Sequence, residues 1–285
     1  MEWKNLDIDA KKTVDEYCKE KFKISDLNYT NFILWSKTED IKYLEKDEVL
    51  YIKGEYEKEE YFFPPMVKDI EKDIDKLKMA FKGLIENKKK IVFIPEEYVE
   101  KLPEIEFIEN RDSFDYVYLS EDLAFLKGRR YAKKKNKVSQ FIRYNYTYEK
   151  IDAKNIEEVK EFQKLWYEIN QGHKNHIIDS ENIGIDILIK NYEKLNLIGA
   201  LLKVEGKVVA YTIGERLSKD MAVVHIEKGL IDYRGSYQAI NYFFVQNELK
   251  EYKYVNREDD FGDEGLREAK LSYLPVFMLK KYRLN

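Results

Sequence analysis

Three segments of this 285-residue chain place polar groups where a packed core has no use for them. The first is His225-Ile-Glu-Lys-Gly229, Leu-Ile-Asp-Tyr-Arg234, Gly235-Ser-Tyr-Gln-Ala239, a strand-to-helix passage. A glycine at a helix start lets the backbone approach a ligand, and the free N–H groups and dipole of that end favour an anion. Ser236 adds a hydroxyl donor and Arg234 a positive charge; the plain alternative is a glycine turn capped by Ser236. The second segment is Val255-Asn-Arg-Glu-Asp-Asp-Phe-Gly-Asp-Glu-Gly265, directly after a predicted strand. It is not a calcium loop, because an EF-hand needs acids or Asn at alternate places before its glycine, and Phe261 interrupts that register. Polar loops at the carboxyl ends of strands are where α/β folds commonly keep their sites. A solvated acidic loop is the other reading. The third is Leu266-Arg-Glu-Ala-Lys-Leu-Ser-Tyr-Leu-Pro275. On a helix, Arg267, Lys270 and Leu274 fall near one side and Leu266, Ala269 and Tyr273 near another. Tyr273 is able to donate a proton and Lys270 to hold a phosphate or carboxylate, or the pair is a structural tyrosine and a solvated lysine.

A basic run lies between these segments and the N-terminal half. No acidic residue stands between Asp122 and Glu149, and Lys127, Arg129, Arg130, Lys133, Lys134, Lys135, Lys137 and Arg143 all fall inside. Such a run is either a solvated helical face or a phosphate contact. Tyr131, Phe141, Tyr144 and Tyr146 are interleaved with it, as base-stacking rings would be. Overall Lys+Arg number 50 against 54 Asp+Glu, so a polyanion must be held by a local patch rather than by bulk charge. The single cysteine, Cys18, excludes an internal disulfide. His173 and His176 stand three apart without a carboxylate or Cys at ligand spacing, so no metal site is expected. The opening Met-Glu-Trp-Lys has no apolar signal region, and the richest apolar run, 195–202, contains Asn196 and Gly199. The expectation is a soluble, cytoplasmic protein without a membrane span. The oligomeric state is not legible.

The elements that would position these groups follow from periodicity. In the first half, 31–35 and 48–53 read as short strands. After Pro64-Pro65 the apolar residues Val67, Ile70, Ile74, Leu77, Phe81 and Leu84 mark one long helix. Buried strands are predicted at 91–94 and 116–119. The length, close to two domains of roughly 150 residues, puts a junction near residue 130, giving domains 1–130 and 131–285. The second half opens with Asn155 and Glu158 at capping-box spacing, ahead of a helical face of Ile156, Val159, Phe162, Trp166 and Ile169. A helix at 180–194 follows. Strands at 197–204 and 207–214 flank Glu205-Gly206, a hairpin signal, and a third strand covers 221–227. A helix at 235–249, a strand at 252–255 and a last helix from 266, broken at Pro275 and resumed to 284, complete an α/β layer with an antiparallel meander and one crossover.

Taken as a set, several of these motifs resemble a known family. They are Asp122-Leu-Ala-Phe-Leu-Lys-Gly-Arg-Arg-Tyr131, Lys134-Lys-Asn-Lys-Val-Ser-Gln-Phe141, His225-Ile-Glu-Lys228, Gly235-Ser-Tyr-Gln-Ala-Ile-Asn241, the 255–267 segment and Ala269-Lys-Leu-Ser-Tyr273. The family is a bacterial group related to the soluble C-terminal domain of phosphatidylglycerol lysyltransferase. The resemblance covers about residues 120–285, and the first 120 match by arrangement only. It implies a tandem pair of N-acetyltransferase-like (GNAT) folds, each a mostly antiparallel mixed sheet flanked by helices. Relatives of this kind move an aminoacyl group from a charged tRNA to a lipid hydroxyl or a peptidoglycan-precursor amine. The expected departures from them are the membrane-spanning half of the lipid enzymes and the coiled-coil arm of some peptidoglycan-bridge enzymes, neither of which this sequence shows. Acetyl-CoA-using members cradle pyrophosphate in a loop that here reads Arg234-Gly235-Ser236-Tyr237-Gln238-Ala239, with one glycine replaced by a bulkier residue.

The mechanism expected from this resemblance is direct acyl transfer with no covalent enzyme intermediate and no required cofactor. The donor is an aminoacyl-tRNA, the alternative an acyl-CoA; the acceptor is a small molecule, a peptide or a lipid head group. His225 or Glu227 is the expected base and Tyr273 the acid for the leaving oxygen. Asn256 and Arg257 orient the acceptor, Arg267 and Lys270 hold negative charge, and the run from Lys127 to Lys137 receives the tRNA backbone. Arg234, Gly235 and Ser236 serve the acyl-CoA alternative. A third reading is a non-catalytic protein that binds an anionic ligand in the same place.

Overall fold

The computed structural model describes residues 2–171 and 176–285, with only the backbone of His176; His173 lies outside the described residues. The chain forms two units, Met1–Asp115 with Asp259–Asp263 and Met278–Asn285, and Tyr116–Glu258 with Glu264–Phe277. The junction expected near residue 130 therefore lies near 115, and two later segments return to the first unit. Among the described residues no helix is long and apolar enough to cross a membrane.

In the first unit a mixed sheet runs in the spatial order Lys4–Asn5, Lys42–Lys46, Val49–Tyr56, Glu59–Phe62, Ile91–Pro95, Lys281–Leu284, Ile108–Glu109. Glu59–Phe62 and Ile91–Pro95 are its parallel pair. The terminal segment expected to be helical is instead strand here, because Lys281 and Tyr282 pair with Pro95 and Ile94. Lys281 enters fully buried and meets Asp26, Asp115 at 2.7 Å and Asp259 at 3.8 Å. Ser25 donates both its N–H and its hydroxyl to Asp115, at 2.7 and 2.9 Å. Burial pushes the Asp26 carboxyl up to about 8; Lys281 opposes this, and Asp115 and Asp259 add to it. Two other expectations change. Residues 31–35 belong to a helix, Tyr29–Trp35, whose N-cap Asn28 accepts from the Asn31 N–H at 2.8 Å. The long helix begins only at Ile74, because Met66–Val67 pairs as a short strand with Leu50 and Val49.

The second unit carries strands β1 (Asp115–Leu119), β2 (Tyr146–Lys150), β3 (Ile198–Val204), β4 (Lys207–Arg216), β5 (Met221–Gly229), β6 (Tyr254–Asn256) and β7 (Phe277–Leu279). Their spatial order is β7-β1-β6-β5-β4-β3-β2. Helices are α1 (Ser120–Phe125), α2 (Ala132–Phe141), α3 (Ile156–Asn170), α4 (His176–Lys190), α5 (Ser236–Phe244) and α6 (Glu264–Leu271). The β3–β4 hairpin turns on Glu205 and Gly206, both left-handed at φ 51° and 78°, as the primed turn of a twisted hairpin requires. The Asn155 side chain does not cap α3; it accepts from Asp152 N–H and donates to the Lys150 carbonyl, both at 2.9 Å. Ile169, assigned to the buried face of that helix, is exposed. Strand β2 was not expected at all, and it explains the interleaved aromatics: Tyr146 stacks on Phe243 at 5.2 Å, while Phe141 and Tyr131 are buried in the core.

Two irregularities shape the middle of this sheet. Between β4 and β5 the register slips at the Ile213–Gly214 step, and His225 is the extra residue. A side chain at Gly214 would come within 2.3 Å of the Val223 carbonyl, so only glycine accommodates this bulge. On its other side β5 pairs in parallel with β6 for three residues only, ending at Val223 and Asn256. Beyond that point β5 continues to Gly229 while the partner strand turns away.

Candidate functional site

Where β5 and β6 part, the side chains of the two strands reach for one another. Asn256 is fully buried at the end of β6, and its Oδ1 accepts the Glu258 N–H at 2.7 Å. That local hydrogen bond stabilises a turn in which Glu258 is left-handed at φ 56°, and it aims Arg257 and Glu258 toward β5. Asn256 therefore shapes the loop, and its carbonyl oxygen is spent inside it.

Arg257 donates from Nη2 to Glu227 at 2.8 Å, and the other Glu227 oxygen accepts from Asn241 of α5 at 2.9 Å. The guanidinium lies 4.7 Å from the ring centre of Tyr273 and 5.7 Å from that of Tyr118. Its other terminal nitrogen, Nη1, is buried and has no hydrogen-bond partner among the described residues. Lys134 of α2 sits over the same phenol ring, Nζ 4.1 Å from the Tyr273 centroid. Lys270 donates to the Arg257 carbonyl at 2.6 Å and so holds the backbone of that residue. Tyr118 in turn donates to the Lys270 carbonyl at 2.8 Å.

The electrostatics follow from burial and from an excess of cations. Burial pushes the Tyr273 phenol well above its ordinary range; Arg257 opposes this and Glu227 reinforces it, so the hydroxyl keeps its proton at neutral pH. Burial and then the charge of Arg257 lower the Lys134 ammonium to about 8, with Glu227 pulling the other way. Arg257 itself, although burial works against its charge, is held cationic by Glu227.

His225 belongs to a separate arrangement. Its Nδ1 meets Glu258 at 2.7 Å and its Nε2 meets Glu215 at 3.0 Å. Burial lowers its pKa, but hydrogen bonds to the two carboxylates outweigh this and raise it to about 10. An imidazolium with both nitrogens occupied has no lone pair to offer. This does not suit the role of base expected for His225; the ring ties the bulge of β5 to the turn after β6.

The anion cradle expected before α5 is occupied by the protein itself. Gly235 is left-handed at φ 88°, and a Cβ there would lie 2.1 Å from the Lys137 carbonyl oxygen. The Ser236 hydroxyl is buried and donates to the Leu230 carbonyl at 2.8 Å, while Arg234 is exposed. The glycine thus permits α5 to pack on α2. In the basic run, Lys127 pairs with Glu121 at 2.9 Å and Arg130 with both oxygens of Asp122 at 3.0 and 3.1 Å. Arg129, Lys133, Lys135 and Lys137 are exposed, and Lys134 turns inward. Arg267 lines a shallow, open depression of about 550 Å³ with Glu264, Glu268, Leu271 and Ser272. Of the residues singled out in the sequence, Glu227, Arg257, Lys270 and Tyr273 come together, joined by Lys134 from the basic run.

Residues 20–285 match the family described as phosphatidylglycerol lysyltransferase, C-terminal. The chain belongs to that family. A conserved protein of unknown function from Bacteroides thetaiotaomicron is 30% identical over 99% of this chain and 98% of its own, with a TM-score of 0.85. L-PGS from Bacillus licheniformis shares the fold at a TM-score of 0.69 and 13% identity, over 99% of this chain and 93% of its own. An uncharacterized protein of Mycoplasmoides gallisepticum is 28% identical over 65% of this chain, and the match spans 60% of that relative's length. Like L-PGS, the protein is α/β, with two mixed sheets flanked by helices. It is homologous to a transferase family.

Sequence reasoning missed Asn241, Tyr118 and the inward turn of Lys134. The last was readable: Tyr131, Lys134, Val138 and Phe141 follow one helical stripe, and the other three are buried. Asn241 lies on the apolar face of α5, where a buried amide signals a polar partner.

Proposed function

We propose that the second unit transfers an aminoacyl group from an aminoacyl-tRNA directly to an amine or hydroxyl acceptor. The observation that carries this reading is the buried, unpartnered Nη1 of Arg257 beside a tyrosine that keeps its proton. Ester aminolysis or transesterification develops negative charge on the carbonyl oxygen and then on the leaving ribose oxygen. A fixed guanidinium N–H away from water stabilises the first, and a protonated phenol serves the second. Glu227, held by Asn241 and Arg257, fixes the guanidinium and balances its charge. No covalent intermediate is needed, since positioning the acceptor against the ester supplies much of the rate. Family membership supports acyl transfer as the chemistry. The exposed Arg129, Lys133, Lys135 and Lys137 are suited to the phosphates of the tRNA.

The test is to incubate the protein with a mixture of tRNAs carrying radiolabelled amino acids, together with phosphatidylglycerol vesicles or soluble amines, and to follow label leaving the tRNA. Transfer that falls at least tenfold with Arg257→Lys, which cannot reproduce the forked donor, is expected. Label that stays on every tRNA, or transfer indifferent to Arg257→Lys, would reject the reading.

A further inference from the structure

We propose that Lys134 is the base that takes the proton from the acceptor in this site, an assignment that rests on the transfer reading above. It lies on the buried stripe of α2 between Tyr131 and Val138, where a solvated lysine would face outward. Its ammonium shares the Tyr273 ring with the Arg257 guanidinium, at 4.1 and 4.7 Å. The carboxylate in this group, Glu227, is bonded to Arg257 and Asn241, and Lys134 makes no ion pair or hydrogen bond among the described residues. Two cations beside one committed anion, half out of water, favour loss of a proton from the one able to lose it. Arginine is not; lysine is. The depression of Lys134 to about 8 agrees with this geometry. An ordinary lysine at pH 7.5 is neutral in about one molecule in a thousand.

The proton balance closes. A hydroxyl acceptor gives its proton to the neutral Lys134 amine as its oxygen forms the new C–O bond. The old ester C–O bond breaks, the ribose oxygen takes the proton of Tyr273, and the Lys134 ammonium restores the phenol. An ammonium acceptor loses two protons in forming the C–N bond, of which one ends on the ribose oxygen and the other in solvent. Glu227 and Arg257 keep their charges throughout.

The experiment has two arms. Competitive acetylation of the whole protein with acetic anhydride between pH 6.5 and 10.5, read by site-resolved mass spectrometry, reports lysine ionisation without any need for activity. Lys134 is expected to become reactive about two pH units below the exposed Lys133 and Lys135; titration together with them overturns the proposal. In the second arm, Lys134→Arg keeps the cation on the ring but cannot act as a base. A loss of at least a hundredfold in kcat is expected, with KM little changed and the rise in rate toward pH 8 abolished. A wild-type rate and pH profile in Lys134→Arg overturns the base assignment and leaves transfer standing. Absence of transfer by the unmodified protein from any charged tRNA overturns the transfer reading instead.

Discussion

Arg257 and Tyr273 do opposite things with the same scarcity of water. The guanidinium stays charged because Glu227 is 2.8 Å away, while the phenol stays neutral because burial of a phenolate outweighs what Arg257 offsets. Tyr273→Phe should therefore leave the thermal midpoint nearly unchanged and lower kcat by about 10²–10⁴-fold, the span of a lost general acid. His225 makes a stability prediction with a definite sign. Its folded pKa, about 10, lies above the unfolded value of about 6.5. The folded state thus holds the extra proton, and the stabilisation is complete below about pH 6.5 and lost as pH rises through about 10. Urea midpoints of wild type and His225→Gln should differ most at pH 6 and converge above pH 10; a constant difference would contradict the clamp. At this scale the sequence identified residue types well and partners poorly. Glu227, Arg257 and Tyr273 were legible as polar groups near strand and helix ends. The carboxylates on His225 come from Glu215 and Glu258, ten and thirty-three residues away, and no spacing rule pairs them.

Among the elements, local patterns survived wherever they were self-sufficient. Glu205-Gly206 gave the hairpin, and the 3.6 period of α3 and α5 gave those helices. One short apolar run failed while those at 91–94 and 116–119 held: Asn31 to Trp35 reads equally as strand or helix, and the Asn28 cap decides it. Gly235 stood out in the sequence with two readings, since close approach by a helix and close approach by a ligand leave the same signature, and its approach to Lys137 favours the structural one. The packing explanation predicts that Gly235→Ala costs stability irrespective of any ligand. Left-handed backbone costs roughly 1–2 kcal/mol for a residue with a Cβ, and contact at 2.1 Å with the Lys137 carbonyl forces α2 and α5 apart in addition. A fall in the denaturation midpoint should be seen in protein free of any acyl-CoA, with faster hydrogen exchange in both helices. An unchanged midpoint would remove the packing account.

For the molecule as a whole, periodicity could not reveal that the last strand belongs with the first residues. Lys281 looks like one more solvated lysine near a chain end, yet it is buried among Asp26, Asp115 and Asp259. Removing the charge from such a group strands its partners, and Lys281→Met should destabilise the first unit by about 3–5 kcal/mol. Proteolysis should then nick residues before 115 while the segment 116–258 resists; cleavage spread evenly over both would argue against the assignment. The interleaving also bears on how the protein is made. A ribosome releases the residues of the first sheet early but withholds its Lys281–Leu284 strand until everything from 116 to 277 has been translated, a lag of about ten to thirty seconds at ordinary elongation rates. During that interval the nascent first unit has an open sheet edge at Ile91–Pro95 and acids without their lysine.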